Sequence, residues 1–517
     1  MVQTTNPLWR ESSVRLAEAT ETESAGTLDG LRLLLLMVVL LVGFRCWAAT
    51  NMDFESDETY YWLWSQHMAL SFYDHPPMVA YLIRLGTWLF GDTAIGLRSM
   101  AIAAMLLSSG LVYLLALVLF QDRRLGLLSL LWFYVMPHTA FFSVVIFPDT
   151  PAILFWILSC YGLAQVWRSG RGEWWYLAGL ALGLTLISKY TGVFLFLGAG
   201  AWLIISPDMR SWLRRREPYL AALIALAVFS PVFLWNAQHD WGSFAKQFGR
   251  VLNSAPEAGL VNAGAYIGIQ AAFVSPLIFV FAVAGVAIAL WRGLAARKGN
   301  WLLLGLTSAP MLLFFLVHAL TDKVLAQWPS AAYPTAILAA VAAFADRAED
   351  AHESPWLRRG FVAAPWVGLV MTVVLYLQMT LALAPIAAID DPLNRFAGWA
   401  GLAESTGAAA AAQNASYIAT SEYATTSILS FYLPRNLTIF QATEAMRYTN
   451  LPPIDQSKLA QSTGLYLAAA NDDRVEEFRR HYDSVVLIST IQRSRRGDPF
   501  EAFRLYRLSG YRGGLPF

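Results

Sequence analysis

The feature that most constrains this chain is a recurrent one: apolar runs long enough to cross a bilayer, separated by short polar loops. A spanning helix needs roughly 20 mostly apolar residues. Such runs fall near residues 31–50, 94–120, 125–145, 150–167, 174–188, 191–206, 219–236, 263–291, 301–318, 328–345 and 360–384. They predict an all-α polytopic membrane protein with eleven spans, of which the fifth and sixth are short and adjacent. Composition agrees, since 57% of residues are hydrophobic and 14% charged, against about 25% charged in a soluble domain. A net charge of +1 gives no basic excess for nucleic acid. The two cysteines, Cys46 and Cys160, lie inside apolar runs, which argues against a disulfide framework and against a thiolate metal site.

Orientation follows from the loops, because Lys and Arg concentrate on the cytoplasmic side of a membrane. With the N-terminus inside, the cytoplasmic loops hold Arg123 and Arg124, Arg168 and Arg171, Arg210 with Arg214–Arg216, Arg292 with Arg297 and Lys298, and Arg347 with Arg358 and Arg359. The opposite loops hold only Arg84, Lys189, Lys246, Arg250 and Lys323. Residues 1–30 are polar and read as a cytoplasmic tail rather than a signal peptide. Residues 31–384 form the membrane domain, and 385–517 form a soluble α/β domain on the outer side. Strands are expected at 417–420, 437–441, 465–470, 485–491 and 503–508, with short helices at 422–432 and 473–482.

Chemistry-bearing residues collect in the outer loops. The long first loop, 51–92, carries Asp53, Glu55, Asp57 and Glu58, followed by Tyr60, Tyr61, Trp62 and Trp64. That aromatic stretch suits a helix lying at the membrane surface. The acids either solvate the loop or stand at the bilayer rim, where desolvation tunes a carboxylate. The Asp74-His75-Pro76-Pro77 turn is rigid, because each proline fixes φ. Asp149, in Phe147-Pro148-Asp149, either caps the next helix or faces a shared cleft, and the two roles are compatible. Lys189, between two apolar spans, either snorkels to the surface or serves a function such as holding a phosphate. Asn236, His239, Lys323, Gln327 and Trp328 complete the outer set. Aromatic rings and amides suit sugars, lysines suit a phosphate leaving group, and carboxylates suit a general base. A P-loop, a Rossmann Gly-rich turn, a zinc-protease helix and a Gly-x-Ser-x-Gly elbow are all missing from the sequence.

Asp57-Glu58, Asp74-His75-Pro76-Pro77, Phe147-Pro148-Asp149 and Ser188-Lys189-Tyr190-Thr191-Gly192 occur in this order. Together they resemble the GT-C membrane glycosyltransferases of the protein-mannosyltransferase and aminoarabinose-transferase type, over roughly residues 30–345. The resemblance implies an inverting transfer of a sugar from a polyprenyl-phosphate carrier to an envelope acceptor such as lipopolysaccharide core or lipid A. That transfer would occur on the periplasmic face of the bacterial inner membrane. It makes Asp57 and Asp149 the catalytic carboxylates. Lys189, His75, Glu58, Tyr60, Tyr190, Lys323, Gln327, Trp328 and Asn236 become candidates for binding the donor phosphate and sugar. Aminoarabinose transferases commonly have a Lys where this chain has His75, so the sugar stays open among a uronic acid such as galacturonic acid, a hexose and an aminopentose. The expected partners are the lipid-linked donor, a lipid or glycolipid acceptor and membrane lipids. No cofactor is required, although Asp57, Glu58 and Asp149 leave room for a divalent cation with hard oxygen ligands. The alternatives are a lipid-sugar flippase, which would place its charges near the bilayer midplane, and a protein O-mannosyltransferase.

Overall fold

The computed structural model of the chain describes residues 32, 35–252, 259–349, 354–383, 392–471 and 474–514. The tail expected over 1–30 and the domain boundary expected at 385 lie outside these residues. The chain forms two units, Met1–Trp47 and Ala48–Phe517. In the first, the helix beginning at Leu35 exposes Leu35, Leu36, Val39 and Leu40.

The second unit is mostly helical. Among the described residues, six helices are long and apolar enough to cross a membrane: Ala94–Phe120, Asp149–Ser169, Glu217–Gln238, Pro276–Ala295, Gly299–His318 and Pro355–Leu381. Arg123–Val135 and Pro137–Val144 reach that length only as a pair, bent by 61° where Pro137 interrupts the backbone ladder. Leu35–Asn51 also reaches it only when paired with Ser56–Gln66. Met78–Phe90, Trp174–Leu186, Tyr190–Ile205 and Gly259–Val274 are shorter apolar helices. The run expected as one span at 263–291 is therefore two helices. Ser275, at φ 93°, and Pro276, which lacks an N–H, break it.

Small residues let the helices approach closely, as lipid-embedded helices require. A Cβ on Gly179 would stand 2.3 Å from the Ala221 carbonyl oxygen, and one on Gly285 would stand 2.4 Å from the Ala340 nitrogen. The Ser56–Gln66 helix departs from its expected place at a membrane surface. Tyr60, Tyr61, Trp62, Leu63 and Trp64 are all buried, so its aromatic residues do not present an exposed apolar face.

After residue 392 the chain builds a five-stranded sheet, with β1 Tyr417–Thr420, β2 Thr438–Gln441, β3 Gly464–Ala469, β4 Tyr482–Arg495 and β5 Asp498–Tyr511. The strand order is β2-β1-β3-β5-β4. The first three strands are parallel, and β4 and β5 form an antiparallel hairpin. Arg496 and Gly497 make its two-residue turn, both at positive φ, as such turns require. Alternation along the strands gives two buried faces. Tyr417, Ala419, Phe440, Tyr466, Ala468, Tyr506 and Leu508 share one cluster. The intervening residues Ile418, Leu465, Leu467, Phe503 and Leu505 are also buried. On that second face, Trp399 of the Trp399–Ala412 helix packs on Phe503.

Parallel strands present their carboxyl ends to ligands. Here β1 leads into the Tyr423–Tyr432 helix and β2 leads towards Arg447. Both exits face the Ser56–Gln66 helix: Ser427 Oγ donates to the Ser56 carbonyl (3.2 Å), and Tyr60 Oη donates to the Arg447 carbonyl (3.4 Å).

Candidate functional site

The site is built outward from Glu58. Glu55 caps the Ser56–Gln66 helix, its carboxylate accepting from the Asp57 N–H at 2.7 Å. Glu58 answers by accepting from the Glu55 N–H at 3.1 Å, a reciprocal cap that fixes the helix start. The Arg98 guanidinium donates to both Glu58 oxygens, at 2.8 and 2.6 Å, and both side chains are fully buried. Arg98 also donates to the carbonyls of Ala49, Met52 and Asp53. The Ile146 N–H then donates to Glu58 Oε1 at 3.2 Å. One carboxylate thus locks the Asp57 turn to the turn that carries Asp149. This corrects the expectation that Glu58 binds donor or metal, because its oxygens are already committed inside the protein.

Asp57 and Asp149 both line a cavity of about 650 Å³, together with Lys189, Tyr60, Tyr61, Asp74, His75, Tyr190, Gln327 and Trp328. Lys189 Nζ donates to Asp149 Oδ1 at 2.6 Å. Lys189 is thus held inward rather than snorkelling. Asp149 stands in the first helical turn, where the helix dipole favours a carboxylate, and Pro148 takes the N-cap position. The Met78 N–H donates to the Ile187 carbonyl at 3.1 Å, so the proline turn is tied to the segment bearing Lys189. Tyr190 Oη bonds Ser243 Oγ at 2.7 Å.

Two further expectations fail on geometry. Asn236 is fully buried; it donates to the Val232 carbonyl (2.9 Å) and accepts from the Phe244 N–H (3.1 Å), so it organises the turn into the Gly242–Leu252 helix. Lys323 is exposed and lies outside the cavity wall. A metal set of Asp57, Glu58 and Asp149 does not fit either. Glu58 is taken by Arg98 and Asp149 by Lys189, and among the described residues no three His, Cys, Asp or Glu side chains converge on one point.

Several residues that the sequence does not single out line the cavity or brace its acids. Tyr423 Oη donates to Asp57 Oδ1 at 3.0 Å. Lys246 and Arg447 both pair with Asp74, which also accepts from Tyr60 Oη at 2.9 Å. Arg395 pairs with Glu55 at 2.5 Å. His318 lines the cavity beside Phe314 and Trp328, its ring nearly parallel to both. Phe194, Phe229, Phe244, Phe248, Phe314 and Phe315 make the rest of the cavity apolar. One end is therefore charged and the other is aromatic.

The carboxylates differ in acidity. Burial pushes the Asp57 carboxyl above its usual range, although the Arg395 charge and the Tyr423 hydroxyl pull the other way. Burial and the Asp57 charge push Glu55 up to about 8, against Arg395. Burial opposes ionisation of Asp74 as well, but Arg447 and Lys246 outweigh it and hold that carboxyl below its usual range. The arrangement separates a fixed anion, Asp74, from a carboxylate suited to taking a proton, Asp57.

Residues 74–235 match the family model described as dolichyl-phosphate-mannose-protein mannosyltransferase. Lipid A galacturonosyltransferase RgtD of Rhizobium johnstonii is 27% identical over 313 residues, which cover 59% of this chain and 64% of that protein. Undecaprenyl phosphate-alpha-4-amino-4-deoxy-L-arabinose arabinosyl transferase of Pseudomonas paraeruginosa is 31% identical over 183 residues, covering 33% of this chain and 32% of that protein. The chain thus matches less than two thirds of the length of either relative. The crystal structure of ArnT from Cupriavidus metallidurans in the apo state shares the fold, with a TM-score of 0.61 at 15% identity, covering 93% of this chain and 98% of that one. The same protein bound to undecaprenyl phosphate gives a TM-score of 0.61 at 13% identity, covering 92% and 97%.

Proposed function

We propose that this chain, a member of the GT-C family of membrane glycosyltransferases, transfers a sugar from a polyprenyl-phosphate carrier to a lipid A-type glycolipid. The observation that carries the reading is the two-ended cavity. Its aromatic residues suit a polyprenyl chain, and its charged residues include both Asp57 and the Lys189–Asp149 pair. One named relative is a lipid A galacturonosyltransferase, another is named for an undecaprenyl-phosphate-linked sugar, and a structural neighbour binds undecaprenyl phosphate.

In the proposed reaction Asp57 takes the proton of an acceptor hydroxyl. The hydroxyl oxygen attacks the anomeric carbon from the face opposite the phosphate, the carbon–phosphate-oxygen bond breaks, and its electron pair leaves on the lipid phosphate. Configuration inverts in this single displacement. Lys189 stabilises the charge that grows on the leaving phosphate, and Asp149 holds Lys189 in place. The aromatic and polar groups of Tyr60, His75, Tyr190, Gln327 and Trp328 surround the sugar. The proposed sugar is a uronic acid, whose carboxylate would find Arg447 in the same wall.

The proposed topology keeps eleven crossings, a cytoplasmic N-terminus, and the site and C-terminal domain in the periplasm. Helix directions support it. Ala94–Phe120 runs from Arg98 at the site to the Arg123-Arg124 loop, Asp149–Ser169 runs from Asp149 to Arg168 and Arg171, and Glu217–Gln238 rises from Arg214–Arg216 to the helix carrying Lys246. The basic loops thus stand at the end away from the cavity, as a periplasmic site requires. The proposed domains are the cytoplasmic tail 1–30, the membrane domain 31–384 with its catalytic loop 51–92, and the periplasmic domain 385–517.

Two measurements test this reading. Mass spectrometry of envelope glycolipids after gene deletion should show loss of one sugar from the lipid A fraction; an unchanged glycolipid profile with altered protein glycosylation would contradict it. Asp57 must also be ionised to accept a proton, so kcat/KM should fall as pH drops through its raised pKa. The acid limb should lie above the ordinary carboxylate value of about 4. Tyr423→Phe removes a hydrogen bond that favours the ionised form and should move that limb to higher pH. A limb that stays put would show that another group controls it.

A further inference from the structure

A second, larger cavity of about 890 Å³ lies between the far side of the Ser56–Gln66 helix and the outer edge of β2. Strand β2 is an edge strand. The Thr438 and Ala442 N–H groups donate inward to the carbonyls of Ser416 and Thr420. By strand alternation, the backbone polar groups of Ile439 and Gln441 therefore point away from β1, and both residues line the cavity. Gln441 is buried. Its amide nitrogen donates to the Ser421 carbonyl, Thr443 Oγ1 and Glu444, which fixes the amide orientation, and its Oε1 has no hydrogen-bond partner. A buried carbonyl oxygen left without a donor is costly, which marks this edge of the groove as strained.

The rim is held firmly. Asp92 accepts from Trp62 Nε1 at 2.8 Å and pairs with Arg435, so Arg435 is braced over the indole, 5.7 Å from its centroid. Lys458 is exposed, and Asp455 approaches it only to 4.0 Å. Gln66, Asn436 and Gln456 add amides to the same walls. Amides, aromatic faces, outward backbone groups and two cations form the donor-rich, flat-sided lining that suits an anionic sugar. The wall separating this groove from the catalytic cavity is thin. The Ser56–Gln66 helix gives Tyr60 and Tyr61 to one side and Trp62, Leu63 and Gln66 to the other. Tyr448 lines the groove while its neighbour Arg447 lines the catalytic cavity.

We infer that this groove is a subsite for the phosphorylated saccharide headgroup of the glycolipid acceptor, seated with its reactive end towards the Tyr60–Arg447 wall. The inference rests on the glycolipid-acceptor reading above. An extended peptide pairing with β2 is the rival occupant, but β2 is only four residues long, and Pro452 and Pro453 stand among the lining residues, where they offer no N–H.

The test uses the full-length protein in detergent and titrates a de-acylated phosphodisaccharide, neutral maltose and a Thr/Val hexapeptide, read by saturation-transfer NMR. Wild type should bind the phosphodisaccharide at least tenfold more tightly than maltose and should not bind the peptide. The double variant Asn436→Ala/Lys458→Ala, and separately Gln66→Ala, should each weaken phosphodisaccharide binding and raise the acceptor KM at least tenfold. Release of polyprenyl phosphate from the donor without acceptor should not change in either. Saturable binding that ignores both variants, preference for the peptide, or no binding would each overturn the subsite. The two readings fail separately. Groove-dependent sugar binding without donor cleavage refutes the transferase reading alone, and acceptor-dependent transfer whose acceptor KM ignores the groove variants refutes the subsite alone.

Discussion

Replacing Asp57 with Asn should lower turnover by about 10²–10⁴-fold, the range that general-base catalysis contributes, while leaving protein level and membrane insertion intact. The asymmetry follows from the local structure. Asp57 is half-buried, its carboxylate accepts from the Tyr423 hydroxyl at 3.0 Å, and it lines the cavity. Burial already works against its charge, so a neutral isostere costs the fold little. The backbone N–H of Asp57, which Glu55 accepts, is untouched. The expected signature is a collapse of kcat with the thermal midpoint unchanged. Full activity in the variant would remove Asp57 from the mechanism, and a large loss of stability would make its role structural.

Arg98→Ala should show the opposite pattern. Arg98 and Glu58 are fully buried, and removing one member of a buried pair leaves an uncompensated charge, at about 3–5 kcal/mol. The carbonyls of Ala49, Met52 and Asp53 lose their donor in the same step. The variant should therefore accumulate poorly and unfold at a lower temperature in detergent. Whatever folds should be inactive, because Glu58 also anchors the Ile146 N–H ahead of Asp149. An Arg98→Met/Glu58→Leu double variant should recover part of the stability, since it buries no lone charge, yet the three carbonyls remain unserved. Normal stability of Arg98→Ala would show that the pair is not the brace described here.

What the sequence made legible, and what it did not, divides by distance along the chain. Apolar runs locate most of the helices, because burial in lipid demands length and composition that local sequence must supply. All five expected strands match β1–β5 in position, two of them overrunning by one residue, since alternation is also local. The run at 263–291 misled because a single Ser-Pro step inside a uniformly apolar stretch leaves no mark on hydropathy. In the site, Asp57, Asp149 and Lys189 were readable as charges at the ends of apolar spans. Glu58 was not separable from Asp57 by type, and only the buried Arg98, forty positions away, assigns it elsewhere. Tyr423 and Arg447 reach acids 366 and 373 positions away, so neither periodicity nor spacing could announce them. Their one sequence cue is that each follows the end of a parallel strand, where such sheets meet ligands. Lys323 and Asn236 were overvalued because position in an outer loop was read as proximity to the cavity.

The central claim is that the aromatic and charged ends of one cavity serve cleavage of a polyprenyl-phosphate sugar. The most direct test incubates the purified protein in detergent with undecaprenyl-phosphate-linked galacturonic acid and lipid A, and measures free undecaprenyl phosphate alongside sugar on the glycolipid. The account predicts equimolar appearance of both products, absent in Asp57→Asn and reduced at least a hundredfold in Lys189→Ala. Intact donor at the end of the incubation, or donor carried whole across a vesicle membrane without cleavage, would contradict it.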